Sequence, residues 1–140
     1  MIRETEKRLL HGAACAVLFV HGILGSPAQF APFLPLVPQD WSFCNLLLQG
    51  HGGGARDFSA ASMAVWREQT RQAFAELRAQ HETVVIAAHS MGTLFAVQEA
   101  VRSPVEGLFL LNVPFHVHVR PRALRNAWLN FGGTPRDPWG

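Results

Sequence analysis

The run VVIAAHSMGTLFAVQEA, Val84 to Ala100, changes its hydrophobic period around one serine. Up to Ala88 it is a short, unbroken apolar stretch rich in β-branched residues, the pattern of a strand buried on both faces. From Gly92 onward the apolar positions Leu94, Val97 and Val101 recur at helical spacing. A strand that passes so abruptly into a helix predicts a βα unit with Ser90 at the bend, and it argues against an all-α or all-β fold.

The rest of the chain repeats that alternation. Apolar runs at about Lys7 to Leu10, Cys15 to Val20, Ser42 to Leu48, Thr83 to Ala88 and Gly107 to Asn112 read as strands, and the middle ones lack polar alternation. Between them, SPAQFAPFLPLVPQD predicts a short Pro-punctuated helix or a pair of turns, with Ser26 as N-cap and Pro27 at the first helical position. The segment Ala60 to Gln80 predicts a helix with Met63, Trp66, Phe74 and Leu77 on one side. The expected fold class is α/β, a doubly wound, mostly parallel sheet. At 140 residues, 49% hydrophobic and 16% charged, the chain has apolar residues enough for the core of a single domain, 1–140. After Pro114 the sequence turns basic, and Leu124, Trp128 and Leu129 suggest a short amphipathic helix, so 114–140 reads either as a surface helix or as the start of a lid segment.

Charge and cysteine usage narrow the partners. A net charge of +2, with basic residues dispersed except near the C-terminus, no Lys/Arg run and no RNA-type aromatic motif, argues against nucleic acid. Cys15 and Cys44 both fall in apolar runs, the setting of inert thiols, and point to a reducing, cytoplasmic compartment. The N-terminal MIRETEKRLLHGAACAVLFV has the outline of a signal peptide, but two glutamates in its charged part argue against one, and ACAVLFV is too short to span a bilayer. The seven histidines show no metal-ligand spacing, so neither a metal nor a cofactor is expected.

AHSMG, Ala88 to Gly92, nearly matches the G-x-S-x-G nucleophile elbow, with alanine keeping the first position small. Strand and helix approach closely there, which is why both ends of the pentapeptide must be small. The helix after Ser90 aims its N-terminus at any oxyanion formed on the hydroxyl. An ordinary serine N-cap is the alternative reading.

With FVHGILGS after one strand, LLLQGHGGGARDF after the next and AAHSMGTLFA at the elbow, the sequence resembles the α/β-hydrolase superfamily, in particular its small carboxylesterase and monoacylglycerol-lipase-like branch. The resemblance covers about Cys15 to Asn112. It implies Ser90 as nucleophile, with the backbone N–H groups of Met91 and Ile23 as oxyanion donors. It sets His21, Gly22, Leu24 and His89 on the substrate-binding side, with His21 and His89 as structural histidines rather than bases. It makes His51 a turn-shaping residue and Asp57 a helix cap.

A serine needs a base, and the base needs an orienting carboxylate, in the chain order serine, acid, histidine. After Ser90 the only acids are Glu99, Glu106 and Asp137, and the only histidines His116 and His118. Asp137 is out of order, Glu99 falls on the helix body, and Glu106 falls at the opposite edge of the sheet. His116 and His118 follow the carboxyl end of a strand, where ligands bind, but alternating His-Val-His also fits a half-buried extended segment.

The resemblance thus implies an incomplete α/β-hydrolase fold lacking the C-terminal strands, with GLFLLNV as an apolar sheet edge open to self-association. The expected function is hydrolysis of small-molecule carboxylic esters through an acyl-enzyme. The alternatives are a thioesterase or acyltransferase, and a non-enzymatic hydrolase-like fragment or pseudoenzyme.

Overall fold

The structure, a computed structural model, describes residues 4–116. Five strands, β1 (Glu6–Arg8), β2 (Cys15–Val20), β3 (Ser42–Leu46), β4 (Thr83–His89) and β5 (Gly107–Leu111), form one sheet in the order β1-β3-β2-β4-β5. β2 pairs in parallel with β3 and β4, β4 in parallel with β5, and only β1 is antiparallel, against β3. The chain leaves β2 to one side for β3 and returns past it for β4. The carboxyl end of β2 therefore lies where the winding reverses, the place at which open α/β sheets bind ligands.

Helices α1 (Ala55–Ser59), α2 (Met63–Arg78) and α3 (Met91–Arg102) connect the later strands. Ala16, Leu18, Val20, Ile86 and Ala88 pack on one face with Trp66, Phe74 and Leu77 of α2 and Phe95 and Ala96 of α3. On the other face Val17 and Phe19 meet Phe30 and Val37. Coverage on both faces explains the unbroken apolar runs, and burying a side chain such as Phe95 stabilises by roughly 1.5–3 kcal/mol.

Several boundaries differ from the sequence reading, each for a local reason. The first strand comes earlier than Lys7 to Leu10, because the Leu10 N–H is taken by Ser42 Oγ at 3.0 Å and the chain turns at Gly12 with φ 78. The Ser42 strand stops at Leu46, since Leu47 N–H donates to Thr5 Oγ1 and Leu48 N–H to His21 Nε2. The helix expected over Ala60 to Gln80 starts at Met63, where Ser62 is an extended cap whose Oγ accepts from Val65 N–H; a separate short helix, α1, precedes it. Met63 is exposed, and the buried stripe of α2 is Trp66, Thr70, Ala73, Phe74 and Leu77. The Pro-rich segment forms two 3-10 pieces, Pro27–Gln29 and Ala31–Leu36, the first capped by Ser26.

The largest difference lies on α3. Leu94, Val97 and Val101 face solvent, Val101 at 82% exposure, while Met91, Phe95 and Glu99 take the sheet side. The helix is apolar on two sides, and periodicity alone does not choose between them. On the neighbouring edge strand β5, Phe109 is 62% exposed, and β5 has no outer strand partner among the described residues. No helix of the described residues is long and apolar enough to cross a membrane.

Candidate active site

Ser90 stands between β4 and α3 with φ 51 and ψ −120. Two other serines of the same chain show what an ordinary cap looks like. Ser26 and Ser62 are extended, at φ −157 and −148, and each accepts a backbone N–H on its hydroxyl. Ser90 does neither: its backbone is left-handed and its side chain makes no capping bond. The ordinary-cap alternative is therefore set aside. Holding a non-glycine residue in such a region costs on the order of 1–3 kcal/mol, so the surroundings must over-determine it. They do so through the backbone. Ser90 N–H donates to Leu111 O at 2.8 Å, and Ser90 O accepts from Thr93 N–H at 3.0 Å and from Thr93 Oγ1 at 2.6 Å. Both polar backbone groups are pinned, and Oγ is left without a hydrogen bond among the described residues.

Two glycines let the pieces meet. A Cβ at Gly92 would lie 2.7 Å from His21 O and nearer still to Val20 O, so the first turn of α3 rests directly on the end of β2. A Cβ at Gly22 would lie 3.0 Å from both His89 Nδ1 and Ser90 Cβ, so the loop after β2 rests on the elbow. That loop is closed by Gly25 N–H to Gly22 O at 3.0 Å and by Gly22 N–H to Gln29 Oε1 at 3.1 Å. Leu24 holds φ 55 within it. Ile23 and Leu24 are exposed, and Ile23 N–H has no acceptor among the described residues. Met91 N–H opens the first helical turn, with no helical carbonyl four residues before it. Met91 directly follows Ser90, and Gly22, the residue before Ile23, packs against Ser90 Cβ.

The histidines have separate jobs. His21 is fully buried, its Nδ1 bonded to Gly22 O at 2.8 Å and its Nε2 accepting Leu48 N–H at 3.1 Å. With both nitrogens engaged, its imidazole holds the loop after β2 against the end of β3. His51 packs edge-on against His21, Phe58 and Trp66 in the turn after β3. Asp57 Oδ2 accepts Gly54 N–H at 2.9 Å at the start of α1. His89 Nε2 meets the Asn112 side-chain amide at 3.0 Å.

Sequence reasoning missed Asn112, which has φ 53 just after β5. The signal was a small polar residue ending an apolar strand, a type that tolerates left-handed backbone. The non-glycine residues of positive φ among those described are Leu24, Ser90 and Asn112. All three follow the carboxyl ends of parallel strands.

Burial of His21 lowers its pKa from 6.5 to about 4; the Gly22 bond pulls it part of the way back and neighbouring His51 pushes it further down. Below pH 6.5 the unfolded chain takes up a proton that the folded chain refuses down to about 4. Stability should therefore fall as the pH drops through this window and level off beneath it, with a loss of about 2 kcal/mol by about pH 5. Urea denaturation near pH 7 and pH 5 measures this. Equal stability at the two pH values, or the same loss in a His21→Gln variant, would contradict it.

No base reaches Ser90 among the described residues. The one Ser–His bond in that range, Ser42 Oγ to His81 Nε2 at 2.7 Å, lies at the opposite edge of the sheet and is sealed from solvent, where it ties β3 to the end of α2. Glu99 is buried on α3, and Glu106 pairs with Arg78 and accepts Val84 N–H just before β5. His116 is exposed without a hydrogen bond among the described residues. His118, Asp137 and the suggested helix around Leu124 to Leu129 lie outside the described residues. No group of three or more metal-ligating side chains is found among the described residues.

A model of the alpha/beta hydrolase family matches residues 17–140. No curated protein matches the sequence. Among solved structures, one from work on LipS and LipT, two metagenome-derived lipolytic enzymes, superposes with TM-score 0.72 at 22% identity, over 99% of this chain and 53% of its own. The thioesterase domain from the curacin biosynthetic pathway gives 0.66 at 22% identity, over 96% of this chain and 56% of its own. MenH from S. aureus gives 0.65 at 15%, over 94% and 53%. At such identities the likeness is one of fold. The chain spans about half the length of these structures.

Proposed function

Because this chain belongs to the alpha/beta hydrolase family, we propose that it carries the nucleophile half of a serine hydrolase that cleaves small-molecule carboxylic esters through an acyl-enzyme. The observation that carries this reading is Ser90, strained at φ 51, pinned through its backbone and with its hydroxyl unbonded. Ser90 Oγ attacks the ester carbonyl, its proton passes to a base, and the N–H groups of Met91 and Ile23 hold the oxyanion. Collapse expels the alcohol, which takes that proton, and water then releases the acid from acyl-Ser90.

In this account Gly22 and Leu24 border the substrate, and His89, tied to Asn112, backs the elbow. The base and its orienting acid are assigned outside residues 4–116, since no histidine or carboxylate in that range hydrogen-bonds Ser90 Oγ. A thioester is the second acyl donor to consider, supported by the likeness in fold to the curacin thioesterase domain. A reducing, cytoplasmic setting accords with Cys15 and Cys44 as free thiols, burial pushing Cys44 up to about 11.

The 140-residue chain is expected to hydrolyse p-nitrophenyl acetate and butyrate only feebly. A triad enzyme stripped of a member keeps about 10³–10⁴-fold over water from oxyanion hole and binding. Rapid turnover abolished by His116→Ala would put the base within this chain and overturn its assignment elsewhere. A preference for acetyl thioesters over oxygen esters would favour the second acyl donor, and no turnover of either by folded protein would favour a binding-only domain.

A further inference from the structure

At the end of the sheet away from Ser90, a cleft of about 410 Å³ opens between the C-terminal halves of α2 and α3. Its walls carry three arginines, Arg71, Arg78 and Arg102, over an apolar floor of Phe74 and Ala79, with Glu99 between them. The charges around it form three ion pairs, two closed by hydrogen bonds and one, Glu99 with Arg102, held only at longer range. Arg71 is bound by two hydrogen bonds to Glu68, at 2.8 and 2.6 Å, and Arg78 is bonded to Glu106 at 2.9 Å and to Glu82 O at 2.7 Å.

Glu99 and Arg102 stand 3.7 Å apart, beyond hydrogen-bond reach. Glu99 is 3% exposed, and its Oε1 is buried with no hydrogen-bond partner. Among the described residues the Arg102 guanidinium makes no hydrogen bond either. A buried carboxylate oxygen without a hydrogen-bond donor is costly, and the position normally demands compensation. Burial pushes the Glu99 carboxyl up, with Arg102 and then Arg71 drawing it part of the way back.

We infer that this cleft is a binding site for a small zwitterion, an α-amino acid with a short apolar side chain, whose ammonium bonds Glu99 and whose carboxylate bonds Arg102. The chemistry follows from what is unsatisfied. Three arginines and the three glutamates Glu68, Glu99 and Glu106 balance, so a net cation or a net anion gains little, whereas a neutral ligand bearing both charges meets both open groups. The exposed Ala75 and Ala79 of the lining give a short apolar side chain a surface to cover. The site shares no residue with the Ser90 machinery and does not depend on the hydrolase reading.

The test is an NMR titration of the ¹⁵N-labelled 140-residue chain with L-alanine and L-valine, alongside propylamine and propionate, which each carry one charge. Saturable shifts confined to α2 and α3 near Glu99 and Arg102 are expected with both amino acids, with each single-charge probe at least about tenfold weaker. Glu99→Gln, which keeps the shape, and Arg102→Gln, at a more exposed position, should each weaken binding by about tenfold or more. Absence of saturable shifts, equal binding of a single-charge probe, or unchanged affinity in folded Arg102→Gln would overturn the proposal.

Discussion

Gly92→Ala is expected to destabilise the fold by more than about 3 kcal/mol, and Gly92→Val to prevent stable folding. The reason is geometric. The added Cβ would lie 2.7 Å from His21 O and closer to Val20 O, and both neighbours are backbone at the buried end of β2. Overpacking against flexible side chains costs about 1–3 kcal/mol; here nothing flexible can give way, so α3 must lift from the sheet. Lifting it would also break the Ser90 N–H to Leu111 O bond. Gly12→Ala serves as the contrast, since a Cβ there meets nothing within 4 Å and only the positive φ is strained. Equilibrium denaturation of the two variants measures the difference. Equal losses would mean that close approach at the elbow is not what demands glycine at position 92.

The sequence displayed the topology because the strands buried on both faces leave uninterrupted apolar runs, and because Ser26 before Pro27 carries the chemistry of a cap. The elbow was legible for the same physical cause that fixes it in space: only small residues fit at Ala88 and Gly92. What could not be read was the orientation of α3, apolar on two sides, where contact with β4 and α2 rather than periodicity selects Met91, Phe95 and Glu99 for burial. Asn112 escaped notice because its role rests on a tertiary contact with His89, twenty-three positions away, for which no local pattern exists. The Ser42–His81 bond was equally hidden, as it joins a strand start to a helix end across 39 positions. The unpaired carboxylate of Glu99 looks in sequence like an ordinary charge on a helix surface.

Ser90→Ala carries the largest expected effect on chemistry. In a triad hydrolase, loss of the nucleophile removes up to about 10⁶-fold in kcat, and under the proposed mechanism even the feeble turnover expected of this chain would run through Ser90 Oγ. The substitution should leave the fold intact, because Ser90 is held by its backbone and its hydroxyl bonds nothing among the described residues. The direct measurement is trapping of the acyl-enzyme: incubate the chain with p-nitrophenyl acetate, quench in acid, and locate the adduct by peptide mass spectrometry. The account predicts one acetyl group on Ser90 and none on the corresponding peptide of Ser90→Ala. Acetylation spread over lysine and histidine with Ser90 unmodified, or an equal yield of adduct in the variant, would contradict it.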